Sequence, residues 1–480
     1  MNTAQRLLSN TALAFIANVL AKTGNALLFI AIGRWLGPTE SGMFSLGTTY
    51  YTFVLGLSAF GLHEVMVREL AYRREESLRF LVNFLFLRLL LSLFAYSLMV
   101  VGLWLIAPYS PDTTQVILIV SLAAIPEAAF SIFQSLFEVY ERLSVLVMAA
   151  IVSSGTKLAI GLWLLSSGET ISTLVWIVPV ASVASLLVFL PSMARLFCHS
   201  AQMSTARLDT DFMRNKLTFM PSFFFIHVSS LLDYQADALI ISLMLGEDAL
   251  GYYAAAQTIL LAFNLMPPAI RAALYPLMSR YYKGTPDKLS VIYDKLNHYL
   301  AALVLPLAAG MTILSEPVIE RIFGPDFGVA VSVLRILIWV VVFLFLVEPH
   351  ARIMLLHNKQ REAALIMTLT TTINITLNLI LIPWLGINGA ALARLAASLS
   401  LYLAFYAFCY ITLLPSRHPF SPGVIFATVL MSAIVWPLKG LILPVPILAG
   451  IIVYAVAARF LGVIPAEDIV IWREIYGRKT

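Results

Sequence analysis

Apolar runs of roughly 20 residues recur along this chain from end to end, each long enough to cross a bilayer core of about 30 Å as a helix. Fourteen spans are predicted, at approximately 11–36, 42–62, 80–106, 114–137, 145–165, 171–194, 217–245, 253–279, 297–315, 330–356, 362–383, 387–413, 420–438 and 443–462. The connections are short, and nothing is left over for a sizeable soluble domain. The first run exceeds the ~7–15 apolar residues of a signal peptide and is expected to be a retained helix. Composition agrees: of 480 residues, 60% are hydrophobic and 12% charged, with a mean hydropathy of +0.89, far outside the soluble globular range. The expected fold class is an all-α polytopic membrane protein with about 14 transmembrane helices. Cys198 and Cys409 are the only cysteines and lie far apart, offering neither a metal-ligand cluster nor a disulfide framework.

Charge gives the orientation, because positive residues resist translocation. Alternate connections carry Arg68, Arg73, Arg74 and Arg79; Arg195, Arg207, Arg214 and Lys216; Arg280, Lys283, Lys288 and Lys295; Lys359 and Arg361; and Arg473, Arg478 and Lys479. The other side holds only Arg321 and Lys439, beside acids such as Glu40, Asp112, Glu247 and Asp326. Both termini are therefore expected in the cytoplasm, with the chain in the plasma (inner) membrane. The net charge of +5 is mostly this bias and is no nucleic-acid signal.

Internal repetition points to a transporter. "LGPTESGMF" follows the first span and "LGEDALGYY" the seventh; aligned at Leu36 and Leu245, they share Leu-Gly, a second glycine (Gly42 and Gly251) and an aromatic (Phe44 and Tyr253). The glycines suit a tight outer turn, since glycine tolerates positive φ. Six spans separate the copies, so the halves should share one orientation, related by an axis along the membrane normal.

Four stretches carry a family resemblance: "RWLGPTESGMFSL", "GLHEVMVREL", "PVIERIFGPDFGVAVSVLRIL" and "LIPWLGINGAALARLAASL". In order and spacing, from about residue 5 to 465, the chain resembles the Wzx-like flippases, the polysaccharide-export branch of the multidrug/oligosaccharidyl-lipid/polysaccharide (MOP) exporter superfamily. The resemblance implies two six-helix bundles in parallel-repeat relation around a central cavity, plus two C-terminal helices. The corresponding lobes are 1–200, 201–415 and 416–480. It also implies alternating access and a substrate, a glycan on a polyprenyl diphosphate lipid, turned from the cytoplasmic to the outer leaflet. The chain is expected to act as a monomer with no cofactor, and a coupling ion, H+ or Na+, is kept open.

A charge at mid-bilayer costs about 2.5–3.5 kcal/mol on insertion scales, so it normally faces a cavity or a partner. Lys22, Arg88, Lys157 and Arg271 sit roughly 12–18 Å from the cytoplasmic helix starts at ~1.5 Å per residue, too deep for easy snorkelling. Arg34, Arg335, Arg394 and Arg352 lie near helix ends and can reach headgroups. Asn18, Lys22 and Asn25 share a helix face, as do Arg88, Ser92 and Tyr96, and Gln257, Asn264 and Arg271 repeat at seven. Lys22, Arg88, Lys157, Arg271, Asn18, Asn25 and Asn264 are the candidate headgroup-binding residues, with hydrogen-bonded glue between helices as the alternative.

The deep acids Glu127, Asp233, Asp237 and Glu348 are candidates for ion coupling or gating. Asp233 and Asp237, four apart, share a face, and the repeat alignment puts Asp233 at nearly the depth of Lys22, as a static bridge or as a lock that opens. Pro126, Pro179, Pro267, Pro268, Pro306 and Pro349 lie inside spans, as hinges or static kinks. "DTD" at 209–211 reads as solvated loop charge. An ion-coupled antiporter of organic cations would want a cavity dominated by carboxylates and aromatics. A glycan polymerase or ligase would want a large outer loop, and every outer loop is short. No "GxxxxGK[ST]" occurs, so ATP hydrolysis is not supported, and a non-enzymatic flippase is the function expected.

Overall fold

The computed structural model describes residues 3–106, 109–197, 207–217, 221–264, 266–267, 270, 278–282, 286–414 and 421–463, and every regular element among these described residues is helical. α1 (Thr3–Leu36) ends at Gly37, whose φ of 100° suits glycine, and Pro38 opens α2 (Pro38–Leu57). A second left-handed glycine, Gly61 at φ 73°, starts α3 (Leu62–Leu70), which bends 48° away from α2. α3 buries Leu62, Val65, Met66 and Leu70, one face of a 3.6-residue period. α4 (Ser77–Ile106) follows. Ser110 caps α5 (Pro111–Leu122) by accepting the Thr113 N–H at 3.1 Å. α6 (Ala124–Val139), α7 (Leu143–Ser166), α8 (Ile171–Leu174), α9 (Ile177–Leu187) and α10 (Phe189–Phe197) come next. Pro126 and Pro179 are each the third residue of a new helix, α6 and α9, so they mark breaks within the expected fourth and sixth spans. α11 (Thr210–Leu217), α12 (Pro221–Leu245) and α13 (Glu247–Asn264) complete this part of the chain.

The chain divides into two compact units, Met1–Ala255 and Ala256–Thr480. In the first, α1 packs along α7, α2 along α5 and α12, and α4 along α6. The second contains α14 (Pro286–Ile322), α15 (Ala330–Leu356), α16 (Gln360–Leu385), α17 (Ile387–Thr412), α18 (Pro422–Leu438) and α19 (Pro444–Phe460), with α15 and α16 both packed on α17. Ten helical stretches among the described residues are long and apolar enough to cross a membrane, or eleven with α2 and α3 as one bent span. α18 and α19 are shorter apolar helices of 17 residues each, and the eighth expected span begins as α13 and runs into residues outside the described set. Large apolar side chains such as Trp104, Trp384 and Phe460 are more than four-fifths exposed, as faces turned to lipid require.

The repeated turns correct one expectation. The positive φ angles fall on Gly37 and Gly246, whereas Gly42 and Gly251 lie inside α2 and α13. These two serve close approach: a Cβ on Gly42 would overlap the Glu247 carbonyl, and one on Gly251 would overlap the Pro38 carbonyl. The two copies of the motif thus pack reciprocally against each other, the small-residue crossing typical of membrane helices.

Asp209 is a second correction. It caps α11, accepting the Phe212 N–H at 2.9 Å, and it pairs with Arg79 of α4. Asn83 closes the clamp, donating to the Arg207 carbonyl at 3.0 Å and accepting the Asp209 N–H at 2.7 Å. Phe212 packs edge-on to Phe80 beneath Arg79. The Phe212 N–H, reinforced by Arg79, holds the Asp209 carboxyl below the usual carboxylate range. The clamp is therefore present above that range and is lost only as pH falls through the lowered value. Asp209→Ala is expected to speed amide hydrogen exchange in α11 at neutral pH; exchange as slow as in the wild type would show that the cap contributes nothing.

Candidate functional site

Two polar cavities lie in the first unit. The larger, of about 450 Å³, is lined by Asn18 and Asn25 from α1, Tyr51 from α2, Glu127, Gln134 and Glu138 from α6, and Ser153, Ser154 and Lys157 from α7. Lys157 Nζ donates to Asn25 Oδ1 at 3.0 Å, and Ser154 Oγ donates to the Leu20 carbonyl at 3.1 Å, so α1 and α7 are tied together along the wall. Gly24 faces Ser154 where a Cβ would clash, which sets how closely those helices approach. Asn18, Asn25 and Lys157, expected as one set, and Glu127, expected among the coupling acids, therefore line one cavity.

The smaller cavity, of about 230 Å³, is lined by His63 and Glu64 from α3, Arg88 from α4, Ser131 and Gln134 from α6, and His227 from α12, with Ala59 and Leu62. Gln134 lines both cavities. Arg88 is only 4% exposed, and Nη2 donates to the Leu55 carbonyl at 3.3 Å. Its Nε and Nη1 are buried without an acceptor. An unmatched buried donor costs about 1–3 kcal/mol, more on a charged group, so these two donors call for a partner, whether water or a bound acceptor. Glu127 lies within electrostatic reach of both Arg88 and Lys157, which joins the two cavities into one charged region.

The other predicted residues are placed as follows. Lys22 is partly exposed on α1, next to the lining positions Ala21 and Asn25 and not itself among the lining residues. Asp237 is fully buried and accepts the Tyr253 hydroxyl at 2.9 Å, a bond between α12 and α13. Ser92 and Tyr96 donate to the Ala124 and Leu118 carbonyls, so two members of the Arg88 stripe are interhelical glue. In the second unit Glu348 faces Arg352 at 3.9 Å, which gives that arginine a carboxylate rather than only a headgroup. The Asn264 side chain, and Arg271 and Pro268 altogether, lie outside the described residues.

His63, Glu64, His227, Gln134 and Glu138 were missed as site residues. His227 Nε2 lies 3.1 Å from Glu64 Oε1, and His63 Nε2 lies 3.5 Å from Glu138 Oε2. The signal for the first two was present in "LHEVMVREL", whose apolar positions repeat at helical spacing and leave His63 and Glu64 on the other face.

The helical fold that holds these two polar cavities is that of solved structures of MOP-superfamily transporters. It is similar to the structure of "Lipid II flippase MurJ, inward closed conformation", with a TM-score of 0.74 at 16% identity over 96% of this chain and 100% of that one. It is also similar to an inward-facing multidrug resistance MATE family transporter of the MOP superfamily, with a TM-score of 0.64 at 13% identity over 82% and 96%. The chain belongs to the polysaccharide biosynthesis protein family, whose model matches residues 31–332. Over 206 residues it is 30% identical to the uncharacterized membrane protein EpsK of Bacillus subtilis (strain 168), covering 41% of this chain and 40% of that one. Over 159 residues it is 27% identical to the probable low-salt glycan biosynthesis flippase Agl15 of Haloferax volcanii, covering 33% and 34%. The chain thus matches less than half the length of each of these curated relatives. The Wzx-like resemblance carried by the four sequence motifs agrees with this family.

Proposed function

We propose that the protein turns a polyprenyl-diphosphate-linked oligosaccharide from the cytoplasmic to the outer leaflet by alternating access, supplying cell-surface polysaccharide synthesis. The observation that carries the reading is Arg88, a buried cation with two unmatched donors in a polar cavity next to Lys157. Arginine presents a fork that fits phosphate oxygens, and lysine adds a point charge. Asn18, Asn25, Gln134 and the serines offer the neutral donors and acceptors that sugar hydroxyls require. Lys22 and Arg271 complete the proposed cation set, and Asn264 remains a proposed headgroup-binding residue. The lobes 1–200 and 201–415 are the proposed moving parts, with 416–480 as an addition to them. Both termini are placed in the cytoplasm on the strength of the positive loops, and the working unit is a monomer. Asp233, Asp237, Glu127 and Glu348 remain the proposed coupling acids for H+ or Na+.

Lys157→Gln keeps a donor to Asn25 and removes the charge, so the wall should stay intact. Surface glycan in a strain lacking the native protein should fall about tenfold or more, the factor that corresponds to ~1.4 kcal/mol of lost headgroup attraction. Full export by Lys157→Gln, at equal membrane abundance, would assign the lysine to the scaffold.

A further inference from the structure

We infer that the cavity lined by His63, Glu64, Arg88, Gln134 and His227 is a proton-linked phosphate site, in which a phosphate or diphosphate group and a proton on a histidine bind together. The inference rests on the reading that Arg88 meets the substrate headgroup.

Charge balance motivates it. Arg88 is the cavity's permanent cation, and Glu64 and Glu127 both lie within its electrostatic reach. An arriving diphosphate therefore meets cations, Arg88 here and Lys157 in the adjoining cavity, that are already offset by carboxylates, and further positive charge is needed before its own charge is matched. The two histidines of the same cavity are the other groups there that can carry a positive charge.

Hydrogen-bond geometry shows where the proton would go. Ser135 Oγ donates to the Ser131 carbonyl at 2.8 Å, so at its 2.7 Å contact with His63 Nδ1 it acts as acceptor and Nδ1 carries the hydrogen. His63 Nε2 then presents a lone pair toward Glu138 Oε2, 3.5 Å away. Protonation of Nε2 turns that contact into an ion pair. Glu138 Oε1 is already held by Gln134 Nε2 at 2.9 Å, so the carboxylate is fixed to receive it. On the opposite wall His227 Nε2 is 3.1 Å from Glu64 Oε1. A charged His227 pairs with Glu64 Oε1 and leaves less of that carboxylate's charge to oppose an anion at the Nε and Nη1 donors of Arg88. The charged and titratable groups around the cavity are His63 and Glu64 of α3, Arg88 of α4, Glu127 and Glu138 of α6 and His227 of α12; Tyr51 of α2 and Lys157 of α7 line the adjoining cavity. Because linkage is reciprocal, a proton that strengthens phosphate binding is itself bound more tightly once phosphate is present.

The test uses the full-length protein in detergent, titrated calorimetrically with inorganic pyrophosphate and with a short prenyl diphosphate between about pH 5.5 and 8.5, a range that brackets histidine titration. Buffers of different ionisation heat count the protons taken up. The expected result is about one proton per ligand and an affinity that falls by up to about tenfold per pH unit above the histidine range, relative to a His63→Gln/His227→Gln double variant. The comparison cancels the ligand's own titration. Glu64→Gln should bind more tightly than the wild type near the upper pH, a gain that misfolding cannot imitate. Tighter binding of the prenyl ligand assigns the site to a lipid headgroup and equal binding to free phosphate, and the proton linkage is supported in both cases. A wild-type slope identical to that of the double variant, with no proton uptake, overturns the inference while Arg88-dependent binding leaves the headgroup reading standing. Absence of binding by either ligand at every pH overturns both.

Discussion

Arg88→Ala is expected to lower surface glycan export by at least about 100-fold while the protein remains in the membrane. Each charge-assisted hydrogen bond from a guanidinium to a phosphate oxygen contributes about 1.5–3 kcal/mol, and two donors, Nε and Nη1, are available, so about 3–6 kcal/mol of headgroup binding is at stake. Among the described residues the substitution removes one hydrogen bond to the protein itself, the 3.3 Å contact with the Leu55 carbonyl. Folding should therefore suffer less than transport. The loss of Arg88 also leaves Glu64 and Glu127 without a nearby cation they both feel, which turns the cavity against anions. Arg88→Lys should retain part of the activity, because a point charge is kept and the fork is lost. The measurement is surface glycan against membrane abundance in a strain lacking the native protein. Export by Arg88→Ala within a few-fold of wild type would remove this residue from the headgroup site.

The second large effect is expected from Gly251→Ala. Alanine is better than glycine inside a helix by up to about 1 kcal/mol, so propensity alone would make the change stabilising. Here the added methyl meets the Pro38 backbone carbonyl, which has no flexible end that could move aside. The helices must separate, at a cost of about 1–3 kcal/mol for overpacking. By the same amount, an equilibrium between a sealed and a separated crossing of α2 and α13 shifts about five- to 150-fold. Gly42→Ala should behave alike, since its methyl would meet the Glu247 carbonyl in the mirror contact. Gly102→Ala, with nothing within 4 Å, is the matched control and should export normally. A cysteine placed next to the crossing should label faster with a membrane-impermeant thiol reagent in the Gly251→Ala background. Labelling and export both equal to the control would show that the crossing does not need to close.

Much of this arrangement was legible in the amino-acid sequence because helices in a membrane satisfy their own backbone and announce themselves by length. Spans, the repeated Leu-Gly turns and the polar faces of α1 and α4 all follow from spacing along one helix. What spacing does not give is the neighbour across the gap. Arg88, Ser92 and Tyr96 do share a face, yet Ser92 and Tyr96 are consumed by carbonyls of the α5–α6 stretch and only Arg88 is left with unmatched donors. Gly42 and Gly251 were read as turn residues because local sequence cannot distinguish a glycine chosen for its φ from one chosen for the absence of a Cβ. His63 and Glu64 escaped notice because they follow Gly61, where hydropathy falls and a span seems to end. The chain instead bends there and continues as an amphipathic helix whose polar side faces the cavity.

The central claim, that the protein moves a lipid-linked glycan between leaflets and needs Arg88 to do so, is tested most directly in reconstituted vesicles. Purified protein is placed in vesicles carrying a fluorescent oligosaccharide on a prenyl diphosphate, and a membrane-impermeant enzyme that removes the sugar label reports how much substrate reaches the outer leaflet. The expected result is that wild-type protein exposes the inner-leaflet share over time, while Arg88→Ala vesicles leave it protected as protein-free vesicles do. Wild-type vesicles that protect the inner share as fully as protein-free vesicles, with the protein verified as folded and inserted, would contradict the account.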